Sequence, residues 1–270
     1  MTVRRIRNIL RKEWELLFTD PNSALFVTLL PFLIVGQAVL YIWLAFRFGG
    51  EGMLGSPVFQ TALAKLLQAI PEAAGLPASE QLLMLLLSQF QFFLLLIPVM
   101  IAVGIATFSI VDEKLTGSLE ALLATPVRTW ELLLGKTLAG AIPALLMTWI
   151  SAGFFLLVVT LLGWGNLSRL VLTPSWFLIL FLLTPAVAIL SFMLGVVGSS
   201  RAKDAKGAQN MSVIIVLPIL ALIGIQVTGI VWFTPLLTLV LALAILAVDY
   251  IALRAAVHLF RRESIAIQWR

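Results

Sequence analysis

Asp249 is the one ionisable side chain well inside an apolar stretch of this 270-residue chain, with Arg254 and His258 nearer the end of that stretch. A buried acid is costly to keep in hydrocarbon, so such a residue is a candidate carrier of a proton or a cation. The competing reading is an ion pair, with Arg254 five residues on or with another helix, and pairing is the expected state. His258 is the only histidine. A zinc site or a nucleophilic triad needs partners that this sequence does not supply. It has no H-E-x-x-H, no G-x-S-x-G and no P-loop G-x-x-x-x-G-K-[ST]. It has no cysteine either, which removes disulfides, thiol nucleophiles and cysteine-based metal sites. The expectation is a chain that is not an enzyme and cannot itself hydrolyse ATP.

The polar chemistry is concentrated instead in 109–136. Leu115, Leu119, Leu122 and Leu123 recur at i, i+4, i+7 and i+8, which is one helix face. Glu113, Gly117 and Glu120 fall on another. Thr125 then suits a helix N-cap and Pro126 the first position of a new helix, running through Trp130 and Lys136. The pattern is helix, sharp break, helix. A short helix with a leucine face and a carboxylate face can dock in a groove of another protein.

The elements that flank this segment are apolar. The chain is 61% hydrophobic and only 11% charged. Uncharged runs occupy 21–46, 81–111, 137–168, 170–200 and 207–248. A bilayer-spanning helix needs about 20 residues, so each of the first four holds one span. As one helix, the fifth would extend roughly 60 Å, about twice the hydrocarbon core. It reads as two helices joined near 226–235, where Gly229, Thr234 and Pro235 supply turn chemistry. The fold class expected is an all-α integral membrane protein with six transmembrane helices, roughly 23–46, 82–111, 137–162, 174–199, 210–229 and 234–257. Continuous rather than alternating runs argue against a β-barrel. Pro31, Pro98, Pro143, Pro185 and Pro218 fall in or near the spans and are expected to kink them.

With both termini inside, only Arg47, Lys65 and Arg169 of the 18 lysines and arginines lie outside, which fits the positive-inside rule. The net charge of +5 is thus read as a sign of membrane orientation, with no nucleic-acid partner expected. The start of the chain does not resemble a cleaved signal peptide. It reads as an amphipathic helix with Ile6, Ile9, Leu10, Leu17 and Phe18 near one face and Trp14 at its edge. Arg4, Arg7, Arg11, Lys12 and Glu15 lie largely elsewhere. Such a helix is expected at the membrane interface, apolar face in the acyl boundary, either as a lipid anchor or in contact with a partner. In the outer loop, about 47–80, Val58, Phe59, Ala62, Leu63, Leu66, Leu67 and Ile70 share one face. They predict a short surface helix, with simple packing as the expected role and a lid as the alternative.

The stretch "EKLTGSLEALLATPV", followed by "LLLGK", resembles the signature of ABC type-2 transporter permeases, the membrane subunits of the type V exporter fold. Glu113, Lys114, Gly117, Leu119, Glu120, Leu122, Leu123, Thr125 and Pro126 match, as do Gly135 and Lys136. The resemblance extends to the layout of the whole chain. It implies that 113–124 is a coupling helix seated in a separate ATPase subunit. It also implies that 3–19, with Arg7, Arg11 and Trp14, is a connecting helix packed near the same interface. The implied assembly is a homo- or heterodimer of permeases with two ATPase subunits, in a bacterial or archaeal cell membrane. ATP and Mg are expected on the partner and no cofactor on this chain.

A single membrane domain over 1–270 follows. It comprises the amphipathic helix 1–20, the membrane part 21–260 with the coupling segment 112–136, and a tail 261–270. The short 226–235 connection departs from family members with long outer domains there. The walls carry Gln89, Gln91, Ser109, Thr148, Ser151, Thr184, Ser191 and Gln226, which suit an amphipathic or apolar cargo better than a bare ion. The function expected is export driven by a partner ATPase. The alternatives are an ATPase-coupled mechanical or assembly scaffold that moves no solute, and a proton-coupled carrier using Asp249.

Overall fold

The computed structural model describes residues 2–49, 55–106, 128–201 and 205–259. The coupling segment, from Asp112 to Pro126 and including Ser109 before it, lies outside these residues, as does the tail 261–270. The described residues hold helices and no strand. They are α1 (Thr2–Thr19), α2 (Pro21–Phe48), α3 (Pro57–Ala69), a 3-10 turn (Pro71–Gly75), α4 (Ala78–Ile105), α5 (Thr129–Leu161) and α6 (Gly165–Val171). Helix α7 runs Pro174–Leu178, through a π turn Ile179–Leu183, into Thr184–Arg201. The last two are α8 (Ala205–Val227) and α9 (Pro235–Leu259).

Five of these, α2, α4, α5, α7 and α9, are long and apolar enough to cross a membrane. In α8 the apolar stretch among described residues is Val216–Val227. The expected division of the fifth run is present, with α8 ending at Val227 and α9 starting at Pro235. Gly229 turns the chain with φ +69, in the left-handed region that favours glycine. Thr234 then caps α9, its hydroxyl oxygen accepting the Leu237 amide at 3.3 Å.

Local chemistry sets the other boundaries. Asp20 separates α1 from α2, its carboxylate accepting from the Ser23 amide at 2.9 Å and hydroxyl at 2.6 Å. Those bonds, the hydroxyl one first, hold the Asp20 carboxyl below its ordinary range. Pro21 follows at the first helical position, where no amide partner is lost. The helix expected to begin at Pro126 and run through Trp130 is corrected. Arg128 is extended and α5 starts at Thr129. The reason is Glu131, three residues on, whose Oε2 accepts the Arg128 amide at 2.9 Å and so fixes the cap there. The π turn precedes Pro185. Widening that turn gives room for a ring that would otherwise press on the carbonyl four residues back.

Helix α4 is the centre of the bundle, with most of its apolar length buried. It packs on α2, α5, α7 and α8, and α7 in turn packs on α5, α8 and α9. Phe90 of α4 stacks on Phe155 of α5 with ring centroids 3.4 Å apart. Helices α2 and α9 lie at the periphery and expose Leu29, Leu33, Leu40, Val240, Leu243 and Ile251. On the predicted outer side, α3 buries Ala62 and Leu66, and the backbone of Ala62 lies against Gly229.

Candidate functional site

The described residues place the sequence-predicted groups at two positions: the foot of α5, which follows the coupling segment in the chain, and Asp249 in α9. At the first, α5 presents Glu131, Gly135, Lys136 and Ala139 to α1. Glu131, Gly135 and Ala139 recur every four residues and form one stripe, with Lys136 beside it. Arg5 donates to Glu131 Oε2 at 3.3 Å. Ile9 lies so close to Gly135 that an added Cβ would sit 2.8 Å from its Cγ2. Lys136 Nζ meets Glu13 Oε1 at 3.2 Å, and Lys12 lies 3.7 Å from the same oxygen. Trp14 Nε1 donates to the Ala139 carbonyl at 2.8 Å.

These contacts advance together along both helices, so α1 runs beside α5. The apolar face expected in the acyl boundary is therefore taken up in part by the protein itself, while Phe18 stays 52% exposed. Ile9 and Trp14 meet α5, and Leu17 belongs to the protein core. Sequence periodicity located the apolar stripe but not what covers it, because lipid and a neighbouring helix are equally apolar.

Glu131 is fully buried and Lys136 is 5% exposed. Buried charges persist only when paired and hydrogen-bonded, since removing one partner of such a pair costs about 3–5 kcal/mol. Here each charge on the α5 foot has its counterpart on α1, which makes the docking of α1 specific in position. Of the three connecting-helix residues implied by the resemblance, only Trp14 reaches α5. Arg7 is exposed, and Arg11 is exposed and bonds Glu15 of its own helix at 2.8 Å. Arg5, Ile9, Glu13 and Glu131 were missed. Nothing in the sequence marks them beyond Ile9 in the apolar stripe and Glu131 in the first turn of a helix.

Gly135 and Lys136, the only signature residues within the description, thus have structural reasons. Glycine admits Ile9, and lysine neutralises Glu13. Glu113, Lys114, Gly117, Leu119, Glu120, Leu122, Leu123, Thr125 and Pro126 lie outside the described residues.

Asp249 sits on the face of α9 that also buries Thr238, Ala242 and Ala256, and α9 packs there on α7 and α5. It is 7% exposed, and neither carboxylate oxygen has a hydrogen-bond partner among the described residues. The expected pair with Arg254 does not form. The Arg254 guanidinium lies over the Tyr250 ring, 4.7 Å from its centroid. Helical geometry explains this, because residues five apart are on different faces whereas residues four apart are neighbours. Among the polar wall residues, Thr148 and Thr184 bond carbonyls of their own helices, at Ala144 and Ile179. The amides of Gln89 and Gln226 and the hydroxyl of Ser151 are buried without protein partners among the described residues.

A family model described as "ABC-2 family transporter protein" matches residues 7–234, from within α1 to the turn before α9. Comparison with curated proteins gave no match, and comparison with solved structures gave none.

Proposed function

The chain belongs to the ABC-2 family of transporter proteins, and from that premise we propose that it is the permease subunit of an exporter driven by ATP hydrolysis on a separate ATPase chain. With its five apolar helices, it is a multi-pass membrane protein of that family. The proposal goes further. It counts α8 as a sixth crossing, puts both termini in the cytoplasm of a bacterial or archaeal cell, and pairs the chain with a second permease and two ATPase subunits. The segment 113–124 is read as the coupling helix and α1 as the connecting helix. The cargo is read as amphipathic or apolar, from polar wall residues scattered among aromatic ones.

The observation that carries this reading is the family match across nearly all of the described bundle. The α1–α5 junction supports it, because a helix held by paired buried charges at the foot of α5 moves with whatever moves α5. Segment 107–127 leads directly into that foot, so force applied there reaches α5 without an intervening span.

Glu120→Lys tests the reading. It reverses a charge on the face assigned to the ATPase and leaves the spans untouched. A partly buried charge that loses its partner costs about 2–5 kcal/mol of binding, roughly 30- to several-thousand-fold in affinity. The expected result is normal permease yield with lost ATPase association, or retained association with lost cargo transport. Complex formation and transport at the unmodified level would mean that 113–124 is an ordinary solvated loop. Transport by purified permease alone, abolished by Asp249→Asn, would favour the carrier reading, which is kept open by a carboxylate without a hydrogen-bond partner among the described residues.

A further inference from the structure

Pro31, Pro98, Pro143, Pro185 and Pro218 all lie within helices, and at two of them, Pro143 and Pro185, an indole donates to the carbonyl that the missing amide leaves without its usual donor. Pro143 lies inside α5 and has no amide, so the carbonyl four residues back, Ala139, loses its helical partner. Trp14 of α1 donates to that oxygen at 2.8 Å. In α7 the π turn brings the Thr184 amide to the Ile179 carbonyl. The donor for Leu180 in that register would be residue 185, which is proline. Trp149 of α5 donates to the Leu180 carbonyl at 3.2 Å.

We propose that Trp14 and Trp149 replace the amides missing at Pro143 and Pro185, and that these two indole bonds stitch α1 to α5 and α5 to α7. An unpaired carbonyl in a water-free bundle is strongly disfavoured. Undocking of α1 and loosening of α5 near Pro143 are therefore a single event, and sliding of α5 on α7 meets the same penalty at Leu180. Close packing reinforces both stitches. Ile9 fills the space over Gly135, and the Phe192 ring of α7 fills the space over Gly140. A signal entering through the foot of α5 would then reach α1 and α7 together. That last consequence rests on the permease reading above, whereas the stitches themselves do not.

The test is amide hydrogen exchange on the full chain in lipid nanodiscs, without any ATPase, so its failure is separate from failure of the coupling reading. Trp14→Phe removes the donor and keeps a ring. It is expected to raise exchange about tenfold in both α1 and residues 137–142, the factor appropriate to one lost buried hydrogen bond. In a Pro143→Ala background the new amide satisfies Ala139, and the same substitution is expected to change exchange by no more than about twofold. Trp149→Phe with and without Pro185→Ala forms a parallel cycle read in α7. Should a proline variant fail to fold, replacing the tryptophan by 3-benzothienylalanine removes the N–H and preserves the ring, and the tenfold rise is still expected. Equal effects with and without the proline would overturn the proposal by showing that the rings only pack. So would wild-type exchange in the benzothienylalanine variant.

Discussion

Asp249, Glu131 and Lys136 are all removed from solvent, yet they differ in what surrounds them. Glu131 accepts from Arg5 and from the Arg128 amide, and Lys136 meets Glu13. Asp249 has no bonded partner among the described residues. The consequence for mutation is a difference in sign. Breaking a buried pair leaves an uncompensated charge and costs about 3–5 kcal/mol. Asp249→Asn removes a charge with no bonded partner to lose, so the purified permease is expected to melt at the same temperature or higher. A fall equivalent to a broken pair would show that a residue outside those described, a second chain or a bound cation supplies a partner. The sequence offered Arg254 or another helix as that partner, and of these Arg254 lies over Tyr250 instead.

Helix ends and turns carry the next level of control. Periodicity predicted α3 and turn chemistry predicted the break before α9, and both are present. Their mutual contact was not legible, because α3 and Gly229 are far apart in the chain. Gly229 combines a left-handed backbone with close approach. An added Cβ would lie 2.6 Å from the Ala62 Cα and 2.8 Å from its nitrogen. Gly229→Ala therefore carries a conformational cost of about 1–2 kcal/mol and an overpacking cost of about 1–3 kcal/mol. Thermal unfolding should show the loss, and limited proteolysis should show α3 released first. Trimming the opposing side chain with Ala62→Gly should not rescue it, because the nearest atoms are backbone. Rescue would mean that a side-chain clash, and not the backbone of α3, constrains the turn.

The whole molecule is a bundle centred on α4, with α2 and α9 at its rim. Exposed leucines and isoleucines on the rim suit lipid or a second permease chain. The proposed orientation rests on the cationic residues, which cluster at the ends expected to be cytoplasmic. The absence of cysteine makes this directly measurable, since every thiol will be an introduced one. Ser79→Cys, exposed at the start of α4, should react with an impermeant maleimide on intact cells. Arg7→Cys, exposed on α1, should react only after the membrane is opened. The reverse pattern would invert the topology and put α1 on the wrong face for an ATPase.

Membrane class, the approximate places of the long helices and the polarity of the 109–136 segment were determined by the sequence alone. They depend on length, hydropathy and local capping, which are properties of neighbouring residues: a bilayer demands about 20 apolar residues, and proline or a capping side chain ends a helix where it stands. The expected start of α5 was too early, because Glu131 accepts the Arg128 amide and fixes the cap at that residue. The partners of α1, the lack of a hydrogen-bond partner for Asp249 among the described residues and the indole bonds at Pro143 and Pro185 were decided only by tertiary structure. Each depends on how one helix is rotated against another. Hydropathy does not encode that rotation, because an apolar face is equally satisfied by lipid or by protein. Only close packing at Gly135 and Gly140, and the geometry of particular donors and acceptors, select one arrangement.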